Sequence, residues 1–148
     1  MKFETIEDEF GTKIVLWRNT RFIIVTPKNP HLPESEGCHI IVFPVKHVEK
    51  GWEALDLAGE TFKLALQVAK ILVDEKIVDW ANLQYNDNWR GAKTGKAWFH
   101  LHVYGRKRSG TTWGQPVVLP KTPKSFKNKP LSGPLLRRIS ALLSKRLR

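Results

Sequence analysis

Two short apolar runs rich in β-branched residues, 13–17 (KIVLW) and 21–26 (RFIIVT), flank Arg18, Asn19 and Thr20. Runs of that length predict a β-hairpin with a three-residue connection. Residues 27–37 (PKNPHLPESEG) contain three prolines and read as a loop, and 39–43 (HIIVF) read as a strand whose ladder Pro44 ends. The longest periodic segment is 57–75. There Phe62, Ala65, Leu66, Ala69, Leu72 and Val73 form one apolar stripe, and Leu57, Leu64, Val68 and Ile71 form a second beside it. The polar stripe of Lys63, Gln67, Lys70 and Asp74 is narrow, so this segment predicts a helix buried over a wide face. Residues 81–85 (ANLQY) and 98–104 (WFHLHVY) predict strands around a loop containing glycine and lysine. Near the end, Leu135, Leu136, Ile139, Leu142, Leu143 and Leu147 share one helical face, with Pro134 suited to the first turn. There is no internal repeat. The expected architecture is α+β: a mainly antiparallel five-stranded sheet, one long helix and a C-terminal extension with its own amphipathic helix.

Charge sharpens that division. The chain of 148 residues carries a net +11, but residues 1–104 hold 13 Lys and Arg against 14 acids. Residues 105–148 hold 12 Lys and Arg, no acid and five of the nine prolines. A near-neutral domain over 1–115 followed by a basic extension over 116–148 is the expected organisation. With 41% hydrophobic residues the chain can bury a real core, which excludes disorder throughout. A single cysteine, Cys38, offers no intramolecular disulfide. The acidic start MKFETIEDEF lacks the pattern of a secretory signal, and no apolar run is long enough to span a bilayer. A soluble cytoplasmic protein is expected.

Candidate chemistry lies in the histidines. Side chains alternate along a strand, so WFHLHVY sends Phe99, Leu101 and Val103 to an apolar face and Trp98, His100, His102 and Tyr104 to the other. In HIIVF, His39 shares a face with Ile41 and Phe43. Three roles are open to such imidazoles. They are surface residues, or two ligands of a metal site that His39 completes, or a nucleophile with neighbours that stabilise a phosphoryl group. Alternation alone does not choose among them.

The surrounding residues narrow the choice. The stretch AWFHLHVYGR closely resembles the signature of the histidine-triad (HIT) nucleotide-binding family, in which histidines alternate with apolar residues. Upstream, Gly37-Cys38-His39 followed by Ile40 to Phe43 and Pro44-Val45-Lys46-His47 resembles that family's Gly-His-strand-Pro-x-x-His segment. Asn86 falls where the family has an asparagine ahead of its glycine-rich loop. The pieces occur in the family's order, with a helix between them, over residues 10–115.

The resemblance implies an α+β fold, commonly a homodimer, and hydrolysis or transfer at the α-phosphate of a nucleotide without a cofactor or metal. It gives His100 the nucleophile position, forming a transient nucleotidyl-histidine, with His102 and His39 holding phosphate oxygens. Asn86 is implied to contact ribose and phosphate, Thr94 to be a polar phosphate contact, and His47 to be structural. An apolar base pocket, suited to a purine, is expected from Phe22, Ile41 and Ile24, for which ordinary core is the plainer role. Three departures stand out. Trp98 replaces the first triad histidine, no acid near Thr26 and Lys28 meets the ribose, and the loop 88–97 carries Arg90, Lys93 and Lys96. Those cations meet further phosphates or simply face water. Trp98 and Tyr104 share the histidine face, where either could stack on a base or leaving group, and Trp113 lies beyond the last strand. The expected activity is that of a nucleotide phosphoramidase or dinucleoside polyphosphate hydrolase. The rival expectation is a catalytically weak nucleotide- or nucleic-acid-binding module. The basic extension fits nucleic acid or an anionic membrane surface, or a helix packed on its own domain with its cations in water.

Overall fold

The computed structural model describes residues 2–8, 11–85, 97–119 and 127–147. Among the described residues six strands form one sheet in the order β1-β2-β3-β4-β6-β5: β1 (Thr5–Asp8), β2 (Gly11–Arg18), β3 (Phe22–Pro27), β4 (Gly37–Pro44), β5 (Trp80–Tyr85) and β6 (Leu101–Arg106). Every neighbouring pair is antiparallel. Helix α1 (Leu55–Asp74) links β4 to β5, and helix α2 (Gly133–Arg146) ends the chain. Among the described residues no helix is long and apolar enough to cross a membrane.

The α+β expectation holds, with one strand more than the five expected. The acidic segment Thr5–Asp8 has poor strand propensity, and charge across the ladder supports its pairing. Lys13 pairs with Asp8 at 2.5 Å and Arg18 with Glu4 at 2.7 Å. The hairpin turns where expected: Asn19 Oδ1 accepts from the N–H groups of Arg21 and Phe22, closing the bend.

The sheet has two unlike faces. On one, Ile24, Ile40, Val42, Leu101 and Val103 pack beneath α1 through Leu64, Val68 and Leu72. Leu136, Ile139 and Leu143 of α2 belong to this same core, so the leucine face of the basic extension is buried rather than presented to solvent. Two cations of α2 face the end of α1. Arg138 donates to the Glu75 carbonyl, and Arg146 pairs with Glu75 and Asp74, a favourable place for positive charge beside a helix C-terminus. The other face carries a smaller cluster, Val15, Ile23, Val25, Ile41 and Phe43 with Trp98 against it. That second face holds the histidines.

Backbone proximity fixes β4 against β6. Gly37 has φ +149°, and a Cβ there would lie 1.7 Å from the Gly105 carbonyl oxygen. Glycine at position 37 is therefore required for His39 to enter the ladder opposite Tyr104. Between them Cys38 is fully buried, and burial pushes its thiol up to about 12, so it is unreactive.

Candidate active site

Strands β4 and β6 lie side by side with Ile41 opposite His102 and His39 opposite Tyr104. This register and the strand period bring His39 and His102 to one face, and His100 joins them just before β6. His39 is fully buried and His102 nearly so, whereas His100 remains partly exposed. His39 Nε2 is 2.8 Å from His102 Nδ1, and His102 Nε2 is 3.1 Å from His100 Nε2. His100 Nδ1 lies 2.7 Å from the carbonyl oxygen of Trp98. The three candidate catalytic residues thus form one continuous chain of imidazoles.

A fourth imidazole meets them. His31, from the proline-rich loop between β3 and β4, donates its backbone N–H to His39 Nδ1 at 3.1 Å. Its ring lies 4.1 Å from that of His39, centroid to centroid, and its Nδ1 is hydrogen-bonded to the Tyr104 hydroxyl at 2.7 Å. Tyr104 is buried and stacked on both His39 and His102. It is a wall of the site rather than an exposed stacking platform.

The two ends of the chain fix its protons. A backbone N–H only donates and a carbonyl only accepts. His39 Nδ1, accepting from His31, carries no proton, so the proton of a neutral His39 is on Nε2 and points to His102 Nδ1. His102 then carries its proton on Nε2, directed at His100 Nε2. His100 in turn carries its proton on Nδ1, donated to Trp98. Each ring holds one proton, and His100 Nε2 presents a lone pair.

The electrostatics agree with neutral rings. Burial lowers the pKa of His39 and His102 well below the ordinary histidine value, with further lowering from neighbouring imidazoles. Burial likewise lowers His100, partly offset by the Trp98 carbonyl, and brings His31 to about 4. Lys13 adds to the effect on His39, His100 and His102. Its side chain is only 12% exposed and sits on the histidine face of β2 beside Asp8.

These shifts predict a stability profile. The unfolded histidines titrate near 6.5, above all four folded values, so below that pH the unfolded chain binds more protons. Stability is therefore fully present above about pH 6.5 and falls as pH drops toward 4. Thermal midpoints between pH 7 and 5, where most carboxylates are still ionised, are expected to decline steadily. A flat profile would contradict buried neutral imidazoles.

His31, His39 and His102 also place ring nitrogens within 4.8 Å of one another, a spacing a divalent ion could bridge. The proton order opposes this. With Nδ1 accepting from the His31 N–H, a neutral His39 keeps its proton on Nε2 and has no lone pair for an ion.

Trp98 contributes to His100 through its backbone carbonyl, which any residue at that position would supply. Its indole N–H donates to the Pro44 carbonyl at 3.0 Å, and the ring packs edge-on against Phe43 and His47. His47 in turn donates Nε2–H to the Ala97 carbonyl at 2.8 Å, tying the end of β4 to the approach to β6. Of the three base-pocket candidates, only Ile41 is on the histidine face. Phe22 and Ile24 lie in the core beneath α1, because antiparallel pairing sets Val25, not its neighbours, opposite Ile41. Thr26 is buried and donates to the His39 carbonyl. Trp113 is in the turn after β6 with the Arg108 guanidinium over its ring. Asn86, Thr94, Arg90, Lys93 and Lys96 lie outside the described residues. Sequence reasoning missed His31 and Lys13. For His31 the one available signal was a histidine eight residues before His39 in a stiff, proline-bounded loop.

No protein-family profile matches the sequence, and no curated protein matches it. Solved structures do match in shape. A histidine triad protein from Bradyrhizobium japonicum superposes with a TM-score of 0.66 at 11% identity, covering 92% of this chain and 91% of that one. A histidine triad protein from Marinobacter aquaeolei gives 0.64 at 14% identity, covering 91% and 88%. A hypothetical histidine triad nucleotide-binding protein from Sulfolobus tokodaii gives 0.57 at 23% identity, covering 91% and 83%. The chain therefore has the fold of histidine triad proteins.

Proposed function

We propose that the protein is a nucleotide hydrolase or nucleotidyl transferase that cleaves at the α-phosphate of a nucleoside monophosphate conjugate through a nucleotidyl-His100 intermediate. The observation that carries this reading is the partly exposed His100, whose Nδ1 proton is committed to Trp98 and whose Nε2 holds a lone pair. Its shape-relative from Sulfolobus tokodaii is named a nucleotide-binding protein, which supports the substrate class.

His100 Nε2 attacks the α-phosphorus, and the bond to the leaving group breaks with its electron pair going to the leaving group, which is protonated on release. Water then attacks the same phosphorus, loses a proton, and the P–N bond breaks to restore the lone pair. An alcohol or phosphate acceptor in place of water gives transfer. The Nδ1–H···O=C bond stabilises the positive charge His100 acquires on phosphorylation. His102 Nε2–H, which points at His100 Nε2 in the resting site, turns to the phosphoryl oxygen as charge develops there. His39 holds His102 in the tautomer this requires. Lys13, on the same face, favours an anionic ligand. Ile41 forms an apolar wall for the base, Trp98 holds the approach to His100, and Asn86 and Thr94 contact ribose and phosphate.

Phosphoramidates, dinucleoside polyphosphates and nucleotide sugars all present the required bond. Release of AMP from adenosine 5′-phosphoramidate or a dinucleoside polyphosphate, dependent on His100, tests the reading. Tight AMP binding with no release would favour the rival binding module.

The protein is further proposed to work as a homodimer. Leu55, Phe62 and Leu66 on α1 are exposed, as are Trp52 before it and Trp80 and Tyr85 on the edge strand β5. Exposed apolar side chains on a helix and on a strand at the end of the sheet order suit a second copy. Sedimentation equilibrium is expected to give twice the 17.0 kDa chain mass, and Phe62→Arg with Leu66→Arg to give the monomer. A monomeric wild type would end this proposal without touching the chemistry.

A further inference from the structure

The order of protons in the imidazole chain depends on the His31 N–H staying within reach of His39 Nδ1. His31 lies in a loop, and a loop with nothing behind it would not hold that N–H in place. Besides the bond from the His31 ring to Tyr104 and the Lys107 ammonium on the Glu34 carbonyl, what stands behind it is the C-terminal extension, about 100 residues away in sequence. Asn29 Nδ2–H donates to the Asn128 carbonyl at 3.0 Å, and Asn128 Nδ2–H donates to the carbonyl of Pro30, the residue before His31, at 2.9 Å. On the other side of His31, the Glu34 carboxylate accepts from the Ser132 N–H at 2.6 Å and from its hydroxyl at 2.9 Å.

Ser132 is the N-cap of α2, and its side chain makes no capping bond of its own. Glu34 serves instead, placing a carboxylate at a helix N-terminus where the dipole favours it. Helix α2 is in turn anchored in the core through Leu136, Ile139 and Leu143. The loop bearing His31 is therefore clamped at both sides of that residue to a rigid element.

We propose that residues 127–132, through Asn128 and Ser132, are a positioning element of the active site that holds the His31 N–H on His39 and so sets the tautomers of the imidazole chain. Only two proton orders are self-consistent along it. In the one that the His31 N–H and the Trp98 carbonyl dictate, His100 Nε2 carries no proton and accepts from His102. In the reverse order His39 carries its proton on Nδ1, His102 on Nδ1 and His100 on Nε2, which removes the nucleophilic lone pair and sets Nδ1 against the Trp98 carbonyl. The His31 N–H blocks this reversal at one end as Trp98 does at the other. The consequence for turnover rests on the proposed function, whereas the tautomer assignment stands apart from it.

The test uses the full chain as wild type, Asn128→Asp and His31→Pro. Asn128→Asp removes the donor to Pro30, and His31→Pro removes the N–H itself. Long-range proton–nitrogen NMR at neutral pH reports which nitrogen of His39 is protonated. Wild type is expected to show a single Nε2–H form. Asn128→Asp is expected to mix in the Nδ1–H form while keeping a cooperative melt, with kcat down about tenfold or more and KM within about twofold, since the loss is of orientation rather than binding. Asn128→Gln, which keeps the amide donor, is expected to retain part of the kcat that Asn128→Asp loses. If His31→Pro does not fold, Asn128→Asp decides alone. His39 remaining solely Nε2–H in a folded Asn128→Asp protein would overturn the proposal, as would an Nδ1–H form in wild type. A wild type without turnover but with the expected tautomers would remove the proposed function and leave the clamp standing.

Discussion

Removing residues 130–148 is expected to abolish the cooperative fold. Those residues supply Leu131, Leu136, Ile139 and Leu143, each no more than 6% exposed, to the core between the sheet and α1. Truncating one buried leucine or isoleucine to alanine costs about 2–5 kcal/mol. Losing four whole side chains together approaches or exceeds the ~5–15 kcal/mol by which a domain is stable. The deletion also uncovers the inner surface of α1 and β2, where Ser140 Oγ–H donates to the Leu16 carbonyl. Near-ultraviolet circular dichroism and thermal melting of the 1–129 chain should show no sharp transition. Leu143→Ala, a milder probe, should lower the midpoint by about 10 °C. Arg146→Gln should change it little, because its ion pairs are exposed and such pairs contribute about 0–1 kcal/mol. A truncated chain that melts sharply near the wild-type temperature would show the helix to be a detachable basic arm.

His100→Ala is expected to reduce turnover by at least about 10³-fold, the scale of losing a covalent nucleophile. Affinity for a nucleoside monophosphate should stay within about tenfold, ~1.4 kcal/mol, since Lys13 and His102, held in place by His39, remain to meet the phosphate. The variant should fold, because His100 is partly exposed before the start of β6 while Phe99 and Leu101 beside it carry the packing. Comparable losses in affinity and turnover would instead make His100 a binding residue.

Much of the site was legible because strands impose a period of two. The alternation in WFHLHVY separates Phe99, Leu101 and Val103 from His100, His102 and Tyr104 without any knowledge of neighbours. The helix at Leu55–Asp74 and the leucine face of α2 follow in the same way from a period of 3.6. What alternation cannot supply is registration between segments. Phe22 and Ile41 both looked suited to a base pocket, but the pairing of Val25 with Ile41 sends Phe22 to the opposite face. His31 was hidden for a stronger reason. Its position depends on a loop conformation held by Asn128 and Ser132, contacts that span about 100 residues. Strand β1 was missed because its ladder relies on cross-strand charge, not on apolar pattern. The tryptophan at position 98 was plain in the sequence. Its contact with His100 was not, because that contact is made by a backbone carbonyl, about which side-chain alternation says nothing.

The most direct test is the intact mass of the protein after brief incubation with adenosine 5′-phosphoramidate or a dinucleoside polyphosphate, quenched in alkaline denaturant to preserve a P–N bond. Wild type should gain the mass of one nucleoside monophosphate unit, or release AMP rapidly, and His100→Ala should do neither. An absence of both adduct and turnover in wild type, with AMP bound equally by the two proteins, would contradict catalysis through His100.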